Sequence, residues 1–212
     1  MSYLLLEDFL QRFRLFFLCI NNRREFFKFF ENKTVAIVGN ATSLLGKKYG
    51  KQIDSHDIVI RFNRGYIINE EAQGVKTTVW ASSLYIDELE LKQKFPGINH
   101  IIWLTPKLSL MKEYSLNVKK RMIIYPFLEW FKLYKRMNNT RPSSGAMLID
   151  FLVNNVNFSS IDIYGFDFFR TNSFYNTTRL NSLIADSPHK FNQEEVYLRN
   201  LITEKERIKI NN

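Results

Sequence analysis

Val35-Ala36-Ile37-Val38-Gly39-Asn40-Ala41-Thr42-Ser43 opens a stretch, Lys33 to Gly65, that continues through Ile53-Asp54-Ser55-His56-Asp57 to Ile58-Val59-Ile60-Arg61-Phe62-Asn63. Four consecutive apolar residues ending in Gly-Asn read as a strand buried on both faces, the pattern of a parallel sheet. Thr42-Ser43 then starts a short helical run, and a helix start offers unpaired N–H donors and positive potential to an anion. The spacing excludes two common anion-binding loops. A Walker loop has four residues between its glycines and Lys-Ser/Thr after the second, whereas six separate Gly39 from Gly46 and Lys47 is followed by Lys48. A dinucleotide fingerprint, Gly-x-Gly-x-x-Gly, has only Gly39 in place. An anion site and an unliganded strand-to-helix turn both remain open at this point.

The rest of the chain sets the scale. Its 212 residues suffice for one α/β domain with a substantial core, and 19 Phe and 10 Tyr with few Gly and Pro argue for a packed globule. Cys19 is alone, so an internal disulfide is impossible and a reducing cytoplasm is the simplest compartment. The formal net charge of +9 is compatible with nucleic acid, anionic lipid or acidic small molecules. Nucleic acid is not expected as a partner, because no dense Lys/Arg stripe interleaved with aromatics runs outside the N-terminal segment.

Residues 1–32 form that segment, with Phe9, Phe13, Phe16, Phe17, Phe26, Phe27, Phe29 and Phe30 interrupted by Arg12, Arg14, Arg23, Arg24 and Lys28. Charges break every window of ~18 residues that could span a bilayer, and no cleavage site follows as a signal peptide requires. The spacing fits an amphipathic helix on an anionic membrane surface, or a helix packed on the domain's own sheet. From Lys33 to the C-terminus at 212, short β-rich runs alternate with helical ones. Expected strands are Val35–Val38, Ile58–Phe62, Thr77–Ala81, Ile101–Leu104, Met122–Tyr125 and Ile161–Tyr164. Expected helices are Thr42–Tyr49, Ile86–Lys94, Phe127–Met137, Ser144–Asn155 and Glu194–Lys209. This pattern predicts a single Rossmann-like α/β domain, its mostly parallel sheet covered by helices on both faces.

In such a sheet a ligand sits beyond the carboxyl ends of the strands. The first strand delivers Gly39, Asn40 and Ser43 there and the second delivers Asn63, neutral groups suited to ribose hydroxyls and phosphate oxygens. Arg141-Pro142-Ser143-Ser144-Gly145 precedes an apolar helical face, so Ser143 and Ser144 stand at a helix start where Gly145 admits close approach. Taken on its own, that segment is explained by simple capping. Tyr164-Gly165-Phe166-Asp167 ends the last expected strand, and Phe174-Tyr175-Asn176 follows. Ser187-Pro188-His189 leads into the final helix, whose positive end favours a neutral imidazole able to act as a base. His56, within the Asp54-Ser55-His56-Asp57 turn, suits hydrogen bonding of the loop better than catalysis, and His100 precedes a strand of buried character.

Taken together these residues resemble the sialyltransferases of the family that includes the animal enzymes, in a short, bacterial-like form. Val35–Asn63 is similar to the family's large motif. Arg141–Asp167 is similar to the small motif, through Pro-Ser-Ser-Gly and Tyr-Gly-Phe, and His189 with Glu194 to the very small motif. The resemblance covers Lys33 to Leu201 and leaves residues 1–32 unassigned. It implies a variant of the GT-A fold over residues 33–212 and an inverting, metal-independent transfer of sialic acid from CMP-sialic acid to a glycan hydroxyl. It further implies that Asn40 and Asn63 contact phosphate and ribose, that Ser143, Ser144 and Gly145 contact CMP or the donor carboxylate, and that Gly165-Phe166 lines the nucleotide. His189 would be the base, with Asp54, His56 and Glu194 as structural members of the motifs. The family's disulfide between the two large motifs cannot form here. Its third motif, usually a histidine followed by aromatics, is replaced by Phe174-Tyr175-Asn176, so phosphate stabilisation would fall to Tyr175 or Arg141.

No cofactor or metal is expected, since no Asp-x-Asp triplet occupies a suitable loop. A transferase working at the inner face of the membrane on a lipooligosaccharide or capsule glycan accounts for the chain. So does a transferase of another CMP-activated keto sugar such as CMP-Kdo, or a non-catalytic basic membrane-binding module on the same scaffold.

Overall fold

The computed structural model describes residues 23–105, 108–175 and 191–211. Among these, seven strands form one sheet in the order β5-β4-β3-β2-β1-β6-β7, and every strand pairing is parallel. A helix over 23–30 (α1) leads into β1 (Thr34–Val38), β2 (Ile58–Phe62) and β3 (Val79–Ser82). The chain steps on to β4 (His100–Trp103) and β5 (Met122–Ile124), then returns across the sheet to β6 (Ser160–Tyr164) and β7 (Ile208–Asn211).

Period-two alternation sorts each strand between two cores. Val35 and Ile37 of β1 face one side and Ala36 and Val38 the other. The first side is covered by α1, α6 (Phe127–Arg136), α7 (Ser144–Asn155) and α8 (Phe191–Thr203). The second is covered by residues of a 3-10 turn (Thr42–Gly46), α2 (Gly50–Asp54), α4 (Glu88–Lys94) and α5 (Leu116–Lys119). The short α3 (Glu70–Gln73) lies between β2 and β3. Crossovers that keep one hand must change faces when the chain reverses its direction of travel across the sheet, and here that change falls between β5 and β6.

Two expectations are corrected, and one left open by the sequence is decided for its described part. The helix expected over Thr42–Tyr49 is a five-residue 3-10 turn followed by the separate α2: Lys47 is extended and its N–H closes the turn on the Leu44 carbonyl at 3.0 Å, while the loop after β6 binds Thr42 N–H through the Asn172 carbonyl at 2.9 Å and Ser43 N–H through Thr171 Oγ1 at 3.3 Å. The last helix does not run to Lys209; it ends at Thr203, and Ile208–Asn211 adds a seventh strand to the open edge of β6. Of the N-terminal segment, the described part is packed on the domain. Phe26 and Phe30 are fully buried in the main core, their rings 4.6 Å apart, with His100 5.6 Å from Phe26. Among the described residues no helix is long and apolar enough to cross a membrane.

Candidate active site

β2 to β5 extend from one side of β1 and β6 to β7 from the other, so the sheet reverses between β1 and β6, and the carboxyl edge at that point is where a ligand crevice is expected. Gly39 follows β1 and pairs with β6 through its N–H to the Tyr164 carbonyl at 2.7 Å. The backbones here run so close that a Cβ on Gly39 would lie 2.3 Å from the Gly165 carbonyl oxygen and 2.7 Å from the Phe166 ring. On the other side of that ring a Cβ on Gly145 would lie 2.6 Å from Phe166 Cε1. Phe166 is thus seated between two glycines, its ring also edge-on to Phe62 at 5.7 Å. This draws the N-terminus of α7 against the ends of β1 and β6.

The two asparagines flank this seat. Asn40 donates from Nδ2 to the Phe62 carbonyl at 3.3 Å, which links the β1 and β2 loops. Asn63 adopts φ +49°, a left-handed conformation that asparagine tolerates better than most residues. Its Oδ1 accepts from Ser83 N–H at 3.0 Å and lies 3.1 Å from Ser82 Oγ. Ser83 Oγ in turn lies 3.0 Å from Ser144 Oγ at the first turn of α7. The ends of β2 and β3 and the start of α7 therefore share one hydroxyl and amide network.

Ser143 caps α7, its Oγ accepting from Ala146 N–H at 3.1 Å. Glu194, from the first turn of α8, binds the same residue twice: Ser143 N–H donates to Oε2 at 2.9 Å and Ser143 Oγ donates to Oε1 at 2.5 Å. Glu194 is only 4% exposed, and burial raises the pKa of its carboxyl above the ordinary range against the two hydrogen bonds that lower it. Farther along α7, Asp150 accepts from Arg136 of α6 at 3.0 Å and from the Tyr197 hydroxyl of α8. Two acids thus register α8 on α7, one of them at the helix start.

Ser43 and Asp167 are brought together, Ser43 Oγ donating to Oδ2 at 3.2 Å; the same oxygen accepts Thr171 N–H at 2.9 Å. Asp167 therefore braces the turn after β6, in which Phe168 and Phe169 both have positive φ. Arg170 ties that turn to Glu195 of α8 at 2.8 Å. Tyr175 is exposed, and its neighbour Phe174 donates N–H to the Asn40 carbonyl at 3.0 Å, so this loop borders the crevice. Arg141 is exposed two residues before the Ser143 cap. Tyr164 stands apart: its ring is buried beneath the sheet against Tyr49 and His56, at 5.4 and 6.0 Å. His189 lies outside the described residues.

Asp54 and His56 are also away from the crevice, beside the start of β2. Asp54 accepts the N–H groups of Val75 and Lys76 at 2.9 Å, and buried His56 bridges the Gln52 carbonyl at 2.8 Å and Asp162 Oδ2 at 3.0 Å. Neighbouring Arg61 is buried, donating to Thr77 Oγ1 and to the carbonyls of Gln73, Gly74 and Lys76; loss of hydration lowers its guanidinium to about 10. Ser82 and Ser83 were not singled out by sequence. Two serines ending a strand carry no distinctive spacing, and only the register of β3 beside β2 brings them to Asn63.

This crevice and sheet are those of a sialyltransferase-like α/β glycosyltransferase fold. A mammalian sialyltransferase solved in complex with Gal-beta-1-3GalNAc-ortho-nitrophenol superposes with a TM-score of 0.63 at 20% identity, covering 85% of this chain and 69% of that one. A variant of the sialyltransferase CST-II in complex with CMP gives 0.51 at 19% identity, covering 84% and 80%. Within that class the sequence resemblance is to glycosyltransferase family 29 (sialyltransferase), whose profile matches residues 8–86. The mouse CMP-N-acetylneuraminate-beta-galactosamide-alpha-2,3-sialyltransferase 1 is 28% identical over 153 residues, 62% of this chain. The matched region is 44% of the mouse protein, so the chain spans less than half of that relative.

Proposed function

We propose that this chain transfers sialic acid from CMP-sialic acid to a glycan hydroxyl, with inversion and without a metal ion. The observation that carries the reading is the meeting of Asn40, Asn63, Ser144 and the α7 N-terminus around the Phe166 seat, at the one reversal point of the sheet. One solved neighbour is in complex with CMP and another with a galactoside, which supports a nucleotide-sugar donor and a glycan acceptor here.

The chemistry follows from the groups present. Ionisation at the crowded anomeric carbon builds charge on the departing phosphate, and neutral N–H and O–H donors with a helix N-terminus stabilise that charge in place. Asp167 is occupied with Ser43 and Thr171, in keeping with a site built from neutral donors. His189 is proposed to remove the acceptor proton, a contribution of about 10²–10⁴-fold. Tyr175 or Arg141 is proposed to face the phosphate. Peripheral attachment at the inner face of the membrane belongs to the same proposal, as does a lipooligosaccharide or capsule acceptor. With Phe26 and Phe30 in the core, the lipid-facing role falls to residues before Arg23.

The test is CMP release and sugar transfer from CMP-sialic acid, with CMP-Kdo in parallel, in the presence of EDTA. Turnover from CMP-sialic acid unaffected by chelation is expected, with His189→Ala losing at least a hundredfold while still binding CMP. Release from CMP-Kdo alone overturns the donor assignment, and full turnover of the variant removes His189 from the mechanism.

A further inference from the structure

The side-chain amide of Asn63 has a fixed sense. Its Oδ1 accepts the backbone N–H of Ser83 at 3.0 Å, a group that can only donate, so the amide NH₂ is turned the other way. Ser82 cannot upset this arrangement. Its buried hydroxyl has a single proton, and the closer acceptor is the Leu84 carbonyl at 2.7 Å, whose own N–H donates back to Ser82 Oγ at 3.0 Å. Ser83 has one proton too. Two acceptors lie within its reach, Asn63 Oδ1 at 3.3 Å and, closer, Ser144 Oγ at 3.0 Å. Donation along the shorter contact, from Ser83 to Ser144, would free the Ser144 proton for a ligand at the first turn of a twelve-residue helix.

We propose that Ser83 is a positioning residue: its backbone N–H sets the sense of the Asn63 amide and its hydroxyl sets that of Ser144, so that both present donors to one anionic oxygen of the CMP-sugar. The inference rests on the donor reading above. A phosphate oxygen and a sugar carboxylate oxygen have the same chemistry at such a hole, since each is an acceptor with no proton to give. A hydroxyl of the same ligand could serve as donor or acceptor and would not need the polarity to be set. The arrangement thus explains how contacts made by one amide and one hydroxyl, with no basic side chain between them, favour an anion.

Ser83→Ala, Ser83→Thr and Ser83→Cys in the full chain provide the test, with CMP-sialic acid, CMP and cytidine as probes. Losing one orienting hydrogen bond corresponds to about threefold to tenfold in affinity. Ser83→Ala is expected to weaken CMP-sialic acid by that factor and to leave cytidine within twofold of wild type. Ser83→Thr restores binding and Ser83→Cys, a weaker donor of similar volume that serves if the alanine variant fails to fold, falls between them. A matching loss for CMP places the oxygen on the phosphate, and unchanged CMP places it on the carboxylate. Because Ser83 acts through Ser144, adding Ser83→Ala to Ser144→Ala should cost no further affinity. Wild-type binding by Ser83→Ala, an equal loss for cytidine, or additive losses in the double variant would overturn the role of Ser83 alone. Failure of the wild-type chain to bind either CMP or CMP-sialic acid would overturn the donor reading, and this inference with it.

Discussion

Gly39 and Gly145 hold Phe166 from two sides, and substituting alanine at each asks different things of the structure. At Gly145 the new methyl carbon would sit 2.6 and 3.2 Å from two ring carbons of Phe166. Carbon atoms in contact prefer about 3.5–4.0 Å, so the ring must move by roughly an ångström. Overpacking of this kind costs about 1–3 kcal/mol, offset by about 0.5–1 kcal/mol from the better helix preference of alanine. At Gly39 the methyl would lie 2.3 Å from the Gly165 carbonyl oxygen, which accepts the Ala41 N–H at 3.2 Å and cannot swing away as a side chain can. Gly39→Ala should therefore cost about 3 kcal/mol or more, beyond the usual overpacking range. At about 2–4 °C per kcal/mol for a chain of this size, Tm should fall by a few degrees for Gly145→Ala and by about 6 °C or more for Gly39→Ala. Phe166→Leu separates the two. Trimming the ring should rescue Gly145→Ala, giving a favourable coupling of about 1 kcal/mol in urea unfolding, and should do little for Gly39→Ala, whose obstruction is backbone. Wild-type stability of Gly39→Ala, or equal rescue of both variants by Phe166→Leu, would refute this account of the seat.

Two further outcomes can be measured. Burial raises the folded-state pKa of Glu194, so its stabilising balance is fullest below the unfolded carboxylate range and declines as pH rises through the raised value. The stability advantage of wild type over Glu194→Gln in urea should accordingly shrink from acid towards neutral pH, and a gap that widens with pH would contradict the buried geometry. Phe26→Ala removes a fully buried ring that packs on Phe30 and His100. It should cost about 3–5 kcal/mol by chemical denaturation, whereas a cost under about 1 kcal/mol would detach α1 from the core.

Local rules made much of this legible. Ser143 as a cap and the apolar spacing of Met147, Leu148, Phe151 and Leu152 placed α7 at Ser144–Asn155, as observed. Apolar runs located six strands to within two residues at either end. The failures share a cause. Glu204 to Arg207 have ordinary helical character and Ile208 and Ile210 alternate over only four residues, so β7 exists because the edge of β6 is open to it. Thr42–Gly46 is a 3-10 turn that stops at an extended Lys47 and is tied to a loop 130 residues away, a contact that local spacing does not announce. The aromatic pattern of 23–30 fits a lipid surface and a protein core alike, since either is an apolar phase, and packing against His100 decided between them.

By itself the sequence determined a parallel α/β chain, the order of its motifs and the neutral, donor-rich character of its candidate site, because burial pattern, capping and residue chemistry are local properties. Only the tertiary structure decided that Tyr164 turns into the core, that Glu194 secures the Ser143 cap and that Ser83 reaches Asn63 and Ser144. Those outcomes depend on strand register and on which helix crosses which face, and such long-range geometry arises from packing that no short stretch of residues encodes.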